Sequence, residues 1–217
     1  MIVGVSVEGR AIEAVDVAGT HDPSGGGVGA LIFGAIHGDE PGSAELCRRF
    51  VDALAQEPPL YRTVVIAALN PDGLHAGRKN NARDVDLNRN FAASNWKREH
   101  ADGYDPGPTA QSEPETAALA SLIERWRPRA LVAVHQPFRC VNWDGGGQGL
   151  ADRMAAASGY PAVASVGYPT PGSFGSRYGV DEGGRVVTFE LPRPVPDGDW
   201  EGCLLALRCC TIFPPAG

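Results

Sequence analysis

Two apolar segments of the chain are each followed by a histidine, and one of them also has a glutamate nearby. The first segment, residues 28–36, precedes His37, and Glu40 follows shortly after; the second, residues 130–134, precedes His135. Short apolar runs are typical of buried strands, and α/β proteins commonly place active sites where strands end. Two imidazoles and one carboxylate leave one position of a zinc ion open, as in catalytic zinc sites. We therefore expect His37, Glu40 and His135 to bind one zinc ion.

Hydrolysis at such a site also needs a carboxylate that carries a proton from water to the leaving nitrogen. Glu190 is the candidate, because it lies near the end of the apolar, β-branched segment 185–191, which Pro192 closes. Taken alone, this glutamate would be interpreted as a residue that faces solvent from an edge strand. Its place at the end of a predicted strand, like those of His37 and His135, favours the catalytic interpretation.

A polar segment between residues 77 and 91 has the composition of a functional loop. It carries three arginines and six Asn or Asp residues between Arg78 and Asn90. Such a loop can simply be solvated. Near a metal, however, guanidinium groups suit a substrate carboxylate and the charge that develops on a carbonyl oxygen. Asp86 could orient a metal-bound histidine through its free ring nitrogen.

Six segments of the chain, in order, resemble the zinc carboxypeptidase family, and most closely its murein peptide amidase A branch. They are residues 37–40, 70–73, 85–91, 135–137, 167–176 and 188–192, so the resemblance extends over most of the chain. It implies that the zinc ligands are His37, Glu40 and His135, and that Glu190 is the general base and acid.

The same resemblance assigns further roles in the polar segment. Arg78 would stabilise the tetrahedral intermediate, Asn88 and Arg89 would hold the terminal carboxylate of the substrate, and Asp86 would be the partner of His37. Asp84 departs from the family pattern, which usually has glycine there, and its charge could alter loop conformation or substrate choice. The tyrosine that covers the substrate in digestive relatives has two possible counterparts, Tyr168 and Tyr178.

Hydrophobic periodicity predicts an α/β fold with a mixed, mostly parallel β-sheet sandwiched by helices, as the zinc carboxypeptidase resemblance also implies. No linker divides the 217 residues, so we expect one catalytic domain, 1–217. Strands are predicted at 2–7, 11–18, 28–36, 63–69, 129–135, 139–143 and 185–191. Helices are predicted at 41–55, 112–126, 147–158, 173–181 and 198–211.

The charge and cysteine content restrict the partners and the compartment. A formal net charge of −7 disfavours nucleic acid, and no apolar run is long enough to span a membrane. Five cysteines without metal-finger spacing indicate reduced thiols of a cytoplasmic protein. We expect a small peptide substrate with a free carboxylate, drawn by zinc, Arg78 and Arg89; the sequence predicts no particular oligomeric state.

The first functional hypothesis is a zinc-dependent amide hydrolase of the metallocarboxypeptidase type. The resemblance implies that it cleaves the γ-D-glutamyl–meso-diaminopimelate bond of murein peptides during peptidoglycan recycling. An alternative is an N-acyl amino-acid deacylase of the succinylglutamate desuccinylase and aspartoacylase group, whose zinc site is similar. A third is a catalytically silent peptide-binding module, which the complete ligand set and the presence of Glu190 disfavour.

Overall fold

A computed structural model describes residues 1–21 and 27–213 of the chain. Its strands are β1 (Ile2–Val5), β2 (Ala11–Glu13), β3 (Val15–Val17), β4 (Ala30–Phe33), β5 (Thr63–Ile66), β6 (Ala130–His135), β7 (Cys140–Gly145), β8 (Ala162–Val163) and β9 (Arg185–Glu190). Its α-helices are α1 (Pro41–Gln56), α2 (Pro71–Ala76), α3 (Pro114–Trp126), α4 (Gln148–Ser158) and α5 (Trp200–Arg208). A π-helix covers Gly175–Asp181, and 3₁₀ turns cover Leu87–Arg89 and Asp197–Asp199.

Seven of these strands form one mixed sheet in the order β3-β5-β4-β6-β9-β7-β8, while β1 and β2 form a separate antiparallel hairpin. Within the sheet, β4 is parallel to β5 and β6, β6 is parallel to β9, and β7 is parallel to β8. Strand β3 runs antiparallel to β5, and β7 runs antiparallel to β9. The prediction of a mixed, mostly parallel sheet is therefore confirmed.

Both faces of the sheet are covered by other elements. Successive residues of a strand point to opposite sides, and most residues of the central strands β4, β5 and β6 are apolar, so both faces must be buried. Ile32 and Val132 pack with residues of α1, α4 and α5, whereas Leu31 and Ala133 pack with residues of α3 and the π-helix. Helices therefore lie on both sides of the sheet, as predicted. By the same alternation, His135 lies on the face that carries α3.

Several elements differ from the sequence prediction. Strand β4 ends at Phe33, because Gly34 packs against the backbone of Ser43 and Ala35 adopts a φ of 46°. The segment 11–18 forms two short strands instead of one. Residues 71–76 form helix α2, which the sequence analysis did not predict, with Asn70 at its N-cap and Pro71 following.

Two further predictions concern the cysteines and membrane-spanning helices. All five cysteines are free; Cys209 is half-buried and the other four are buried. Among the residues that the structure describes, no helix combines the length and the hydropathy that crossing a bilayer requires.

Candidate active site

His37 lies in the turn between β4 and α1, where two glycines let two backbone segments meet. A Cβ atom on Gly38 would lie 1.9 Å from the carbonyl carbon of Gly73 at the start of α2, so only glycine fits there. Asn70 Nδ2 donates to the carbonyl oxygens of Ile36 and Lys79, both at 3.3 Å. These contacts fix the turn, and therefore the backbone of His37, against the loop that follows α2.

Glu40 occupies the N-cap position of α1, but its side chain makes no cap hydrogen bond and turns towards the two histidines. Its Oε1 lies 2.8 Å from His37 Nδ1, and its Oε2 lies 3.1 Å from His135 Nδ1. The backbone N–H of Gln136 also donates to Oε2, at 3.1 Å. One ligand atom from each of the three residues lies within 4.8 Å of the others, and all three residues are buried. The structure thus brings together the three predicted zinc ligands.

Asp86 holds the opposite side of the His37 ring. Its Oδ1 lies 3.0 Å from His37 Nε2 and accepts from the backbone N–H of Asn88 at 2.9 Å, while its Oδ2 accepts from Lys79 Nζ at 2.7 Å. When Nε2 of His37 donates to this carboxylate, the lone pair of Nδ1 points at the space shared with Glu40 and His135.

The buried charges of the site favour a cation. Burial disfavours the ionised form of Glu40, but the imidazoles of His135 and His37 outweigh it and lower the pKa of Glu40 to about 2. Burial also disfavours charge on His37, yet Asp86 and Glu40 raise its pKa to about 10. The pKa of Asp86 is lowered in the same way, against its burial, chiefly by His37. The ionised carboxylate of Glu40 and two inward-facing Nδ1 atoms match the ligand preferences of zinc, and Asp86 adds a second negative charge behind the His37 ring.

Glu190 lies next to His135, because β6 and β9 pair in parallel with these two residues in register. Strand β9 lies between β6 and β7, and Glu190 is 5% exposed, so it is not a solvent-facing residue of an edge strand. Its Oε2 accepts a hydrogen bond of 3.4 Å from the backbone N–H of Phe138. Burial raises the pKa of Glu190, although the nearby His135 acts in the opposite direction. A raised pKa suits a carboxylate that takes up and returns a proton.

A cavity of about 260 Å³ opens above these residues on the α3 face of the sheet. Its wall includes most of the residues that the sequence singled out, namely His37, Glu40, Asn88, Arg89, His135, Tyr168 and Glu190. Arg89 is held in place by a 2.7 Å hydrogen bond from its Nη1 to the carbonyl oxygen of Asn88 and by the ring of Tyr104, 5.2 Å away. Asn88 Oδ1 accepts from the N–H of Phe174 at 3.0 Å.

Arg78 is the predicted site residue that the structure does not bring to the cavity. Its side chain is exposed and does not line the wall, whereas the adjacent Lys79 does. Gly77 ends α2 with a φ of 63°, and this left-handed residue turns the chain before Arg78. Lys79 Nζ lies 3.7 Å from the ring centroid of Tyr104 as well as 2.7 Å from Asp86. Of these two neighbouring cations, the one that lines the cavity is therefore the ammonium group of Lys79.

The two candidate tyrosines occupy different environments. Tyr168 lines the cavity, is 43% exposed and packs edge-on against Phe138. Tyr178 is 4% exposed and packs in the core against Phe91 and Phe174. Of the two, only Tyr168 is placed to cover a bound ligand.

Asp84, which departs from the family pattern, adopts a φ of 63°. Glycine adopts this left-handed conformation without strain, and Asp tolerates it better than most other residues. Asn80 Nδ2 donates to the carbonyl oxygen of Asp84 at 2.9 Å and to its Oδ1 at 3.2 Å. The carboxylate is exposed and does not line the cavity, which favours an effect on the loop conformation over a direct contact with substrate.

The cavity residues to which sequence reasoning gave no role include Lys79, Tyr104, Gln136 and Asp144. Gln136 follows His135 directly, and its side chain accepts from Gly42 N–H at 2.9 Å and donates to Pro192 O at 2.7 Å. It therefore ties the ends of β6 and β9 to the start of α1. Its position beside a predicted ligand was an available signal, whereas Tyr104 lies in a segment without periodicity.

Comparison with known proteins agrees with this geometry. The family model described as "Zinc carboxypeptidase" matches residues 1–157. Over 220 aligned residues, the chain is 36% identical to murein peptide amidase A of Escherichia coli (strain K12), covering 94% of this chain and 88% of that protein. The crystal structure of murein-tripeptide amidase MpaA from Escherichia coli O157 superposes with a TM-score of 0.78 at 32% identity, over 100% of this chain and 93% of that one.

More distant structures share the fold alone. An aspartoacylase family protein from Mesorhizobium loti superposes with a TM-score of 0.66 at 16% identity, over 100% of this chain and 67% of that one. The family match and the identity to murein peptide amidase A over nearly the whole chain lead to one conclusion. The chain belongs to the zinc carboxypeptidase family.

Proposed function

We propose that this protein is a zinc-dependent amidase that cleaves the γ-D-glutamyl–meso-diaminopimelate bond of murein peptides. The observation that carries the proposal is the convergence of His37, Glu40 and His135 beside Glu190 at one end of a cavity. The proposed substrate class comes from the similar proteins. Their names, murein peptide amidase A and murein-tripeptide amidase, state that they act on murein peptides.

His37, Glu40 and His135 would hold a single zinc ion, with Asp86 fixing the His37 ring. When bound, zinc supplies a Lewis acid that polarises a carbonyl and lowers the pKa of water. Glu190 takes the proton from the attacking water and later passes it to the leaving nitrogen. Its burial and raised pKa keep the carboxyl able to hold that proton between the two transfers.

The remaining cavity residues position the peptide and respond to its charge. Arg89 and Asn88 bind the free carboxylate of the leaving residue, for which the planar guanidinium is well suited. Lys79, in place of the Arg78 that the sequence suggested, stabilises the negative charge that develops on the carbonyl oxygen. Tyr168, on the exposed rim, covers the bound peptide.

The state of the cysteines bears on the compartment. All five are free, which suits a reducing compartment. We therefore propose a cytoplasmic enzyme of peptidoglycan recycling.

Product identification tests the function directly. Purified protein is incubated with L-Ala-γ-D-Glu-meso-diaminopimelate, with and without a chelator, and products are identified by mass spectrometry. We expect release of diaminopimelate that the chelator abolishes and added zinc restores, with Glu190→Gln as the inactive control. Faster hydrolysis of N-acylated aspartate or glutamate would instead support the deacylase alternative. Tight binding of the intact tripeptide without any product would support the silent binding module.

A further inference from the structure

The floor of the cavity carries a carboxylate that the proposed mechanism does not use. Asp144 on β7 lines the cavity, as do Asn142 of the same strand and Thr188 of β9. The register of these strands places Asn142 opposite Thr188, and Asp144 opposite Val186. Because alternate residues of a strand share a face, Asn142 and Asp144 continue the floor that begins at Glu190.

Nothing in the described part of the protein satisfies this carboxylate. Across residues 1–21 and 27–213, the Asp144 side chain has neither a hydrogen-bond donor nor a cation as partner, and burial raises its pKa unopposed. Gly175, which begins the π-helix, packs directly onto it: a Cβ there would lie 2.1 Å from Asp144 Oδ2. A donor on a ligand would therefore supply this half-buried carboxylate with a partner that the described residues do not offer.

The distance from Glu190 to Asp144 matches the length of one substrate residue. Asp144 pairs with Val186, four residues before Glu190 on β9, which corresponds to about 13 Å at about 3.3 Å per residue. In diaminopimelate, six bonds of about 1.5 Å separate the scissile nitrogen from the distal amino nitrogen, or roughly 7.5 Å when extended. With contacts of about 3 Å at both ends, such a residue spans the floor.

We propose that Asp144 binds the distal ammonium group of the diaminopimelate residue and thereby selects leaving residues with a cationic side-chain end. This inference rests on the proposed function and names the residue that recognises the leaving group. The cavity then matches its ligand in charge, with Arg89 and Lys79 for carboxylate and carbonyl oxygens and Asp144 for the ammonium. Asn142 and Ser165 also line the cavity and offer neutral donors to the distal carboxylate.

Three tripeptides that differ only in the last residue test this selection. They end in meso-diaminopimelate, in lysine, which lacks the distal carboxylate, and in 2-aminopimelate, which lacks the distal amine. We expect the wild type to prefer both amine-bearing peptides over the 2-aminopimelate peptide by about 10- to 100-fold in kcat/KM, the range of a charge-assisted hydrogen bond. Asp144→Asn should lose that preference but cleave the 2-aminopimelate peptide at close to the wild-type rate. Asp152→Asn, the same change on the exposed side of α4, is the matched control.

Thermal unfolding supplies a second readout that does not depend on turnover. Without ligand, Asp144→Asn should be at least as stable as the wild type, because it removes a half-buried charge that has no ion-pair partner among the described residues. Free meso-diaminopimelate should raise the Tm of the wild type more than that of the variant. Equal losses on all three peptides together with a lower Tm would mean a structural role, and an unchanged preference would mean no contact; either result overturns the inference. A wild type that cleaves none of the peptides would overturn the proposed function itself.

Discussion

Replacing Lys79 should lower kcat far more than replacing its neighbour Arg78. Lys79 lines the cavity and pairs with Asp86 at 2.7 Å, whereas Arg78 is exposed and does not line the cavity. Loss of one preorganised donor to a developing oxyanion typically lowers kcat by about 10²- to 10³-fold. The Lys79 side chain is 29% exposed and part of its charge is already neutralised by Asp86, so we expect the lower end, about 100-fold, for Lys79→Ala.

The assay compares kcat and KM of Lys79→Ala, Lys79→Arg and Arg78→Ala on the diaminopimelate tripeptide at saturating zinc. Saturation is needed because Lys79 also steadies Asp86, and losing such a partner weakens metal binding by about 10- to 100-fold. Lys79→Arg keeps the cation and should recover most of the lost kcat. Arg78→Ala should stay within about twofold of the wild type, as for an exposed residue away from the site. A large loss of kcat in Arg78→Ala with near-normal Lys79→Ala would refute the assignment.

Three further substitutions separate catalysis, metal binding and folding. Glu190→Gln should reduce kcat by at least about 10²- to 10⁴-fold while zinc content and tripeptide binding, measured by calorimetry, stay unchanged; residual activity near that of the wild type would remove Glu190 from proton transfer. Asp86→Asn should weaken zinc affinity by about 10- to 100-fold in a competitive chelator titration, because His37 loses its oriented partner; unaltered affinity would contradict that role. Asp72→Ala should lower the free energy of unfolding in urea by about 2–4 kcal/mol, since its buried carboxylate accepts from Ser6 Oγ, Glu8 N–H and Arg10 Nη1. These bonds lower the pKa of Asp72 from 3.8 despite its burial, so the stabilisation is complete above pH 3.8 and is lost as the pH falls further below it; a difference that persists at the lowest pH would contradict this origin.

The metal-binding residues could be located from sequence because of how parallel strands are built. His135 and Glu190 each end an apolar run, and parallel pairing in register brings such ends together at one edge of the sheet. His37 was located for a related reason, although β4 ends three residues earlier than the apolar run suggests. An apolar composition predicts that a segment is buried, but it does not predict the residue at which the strand ends.

The loop that carries the cations was harder to predict, because its side-chain directions depend on local backbone geometry. Arg78 and Lys79 are neighbours of the same charge, and the left-handed Gly77 decides which of them faces the cavity. Asp144 was missed for another reason. Its strand has an apolar start and a polar end, and only the antiparallel pairing of β7 with β9 places its carboxylate on the cavity floor.

The most direct test of the central claim is a zinc-edge anomalous difference map from crystals of the zinc-loaded protein. We expect a single peak at about 2.0–2.2 Å from Nδ1 of His37, Nδ1 of His135 and a carboxylate oxygen of Glu40, with its open side towards Glu190. A peak elsewhere, or zinc-loaded crystals without a peak among these three side chains, would contradict the assignment of this site as the catalytic centre.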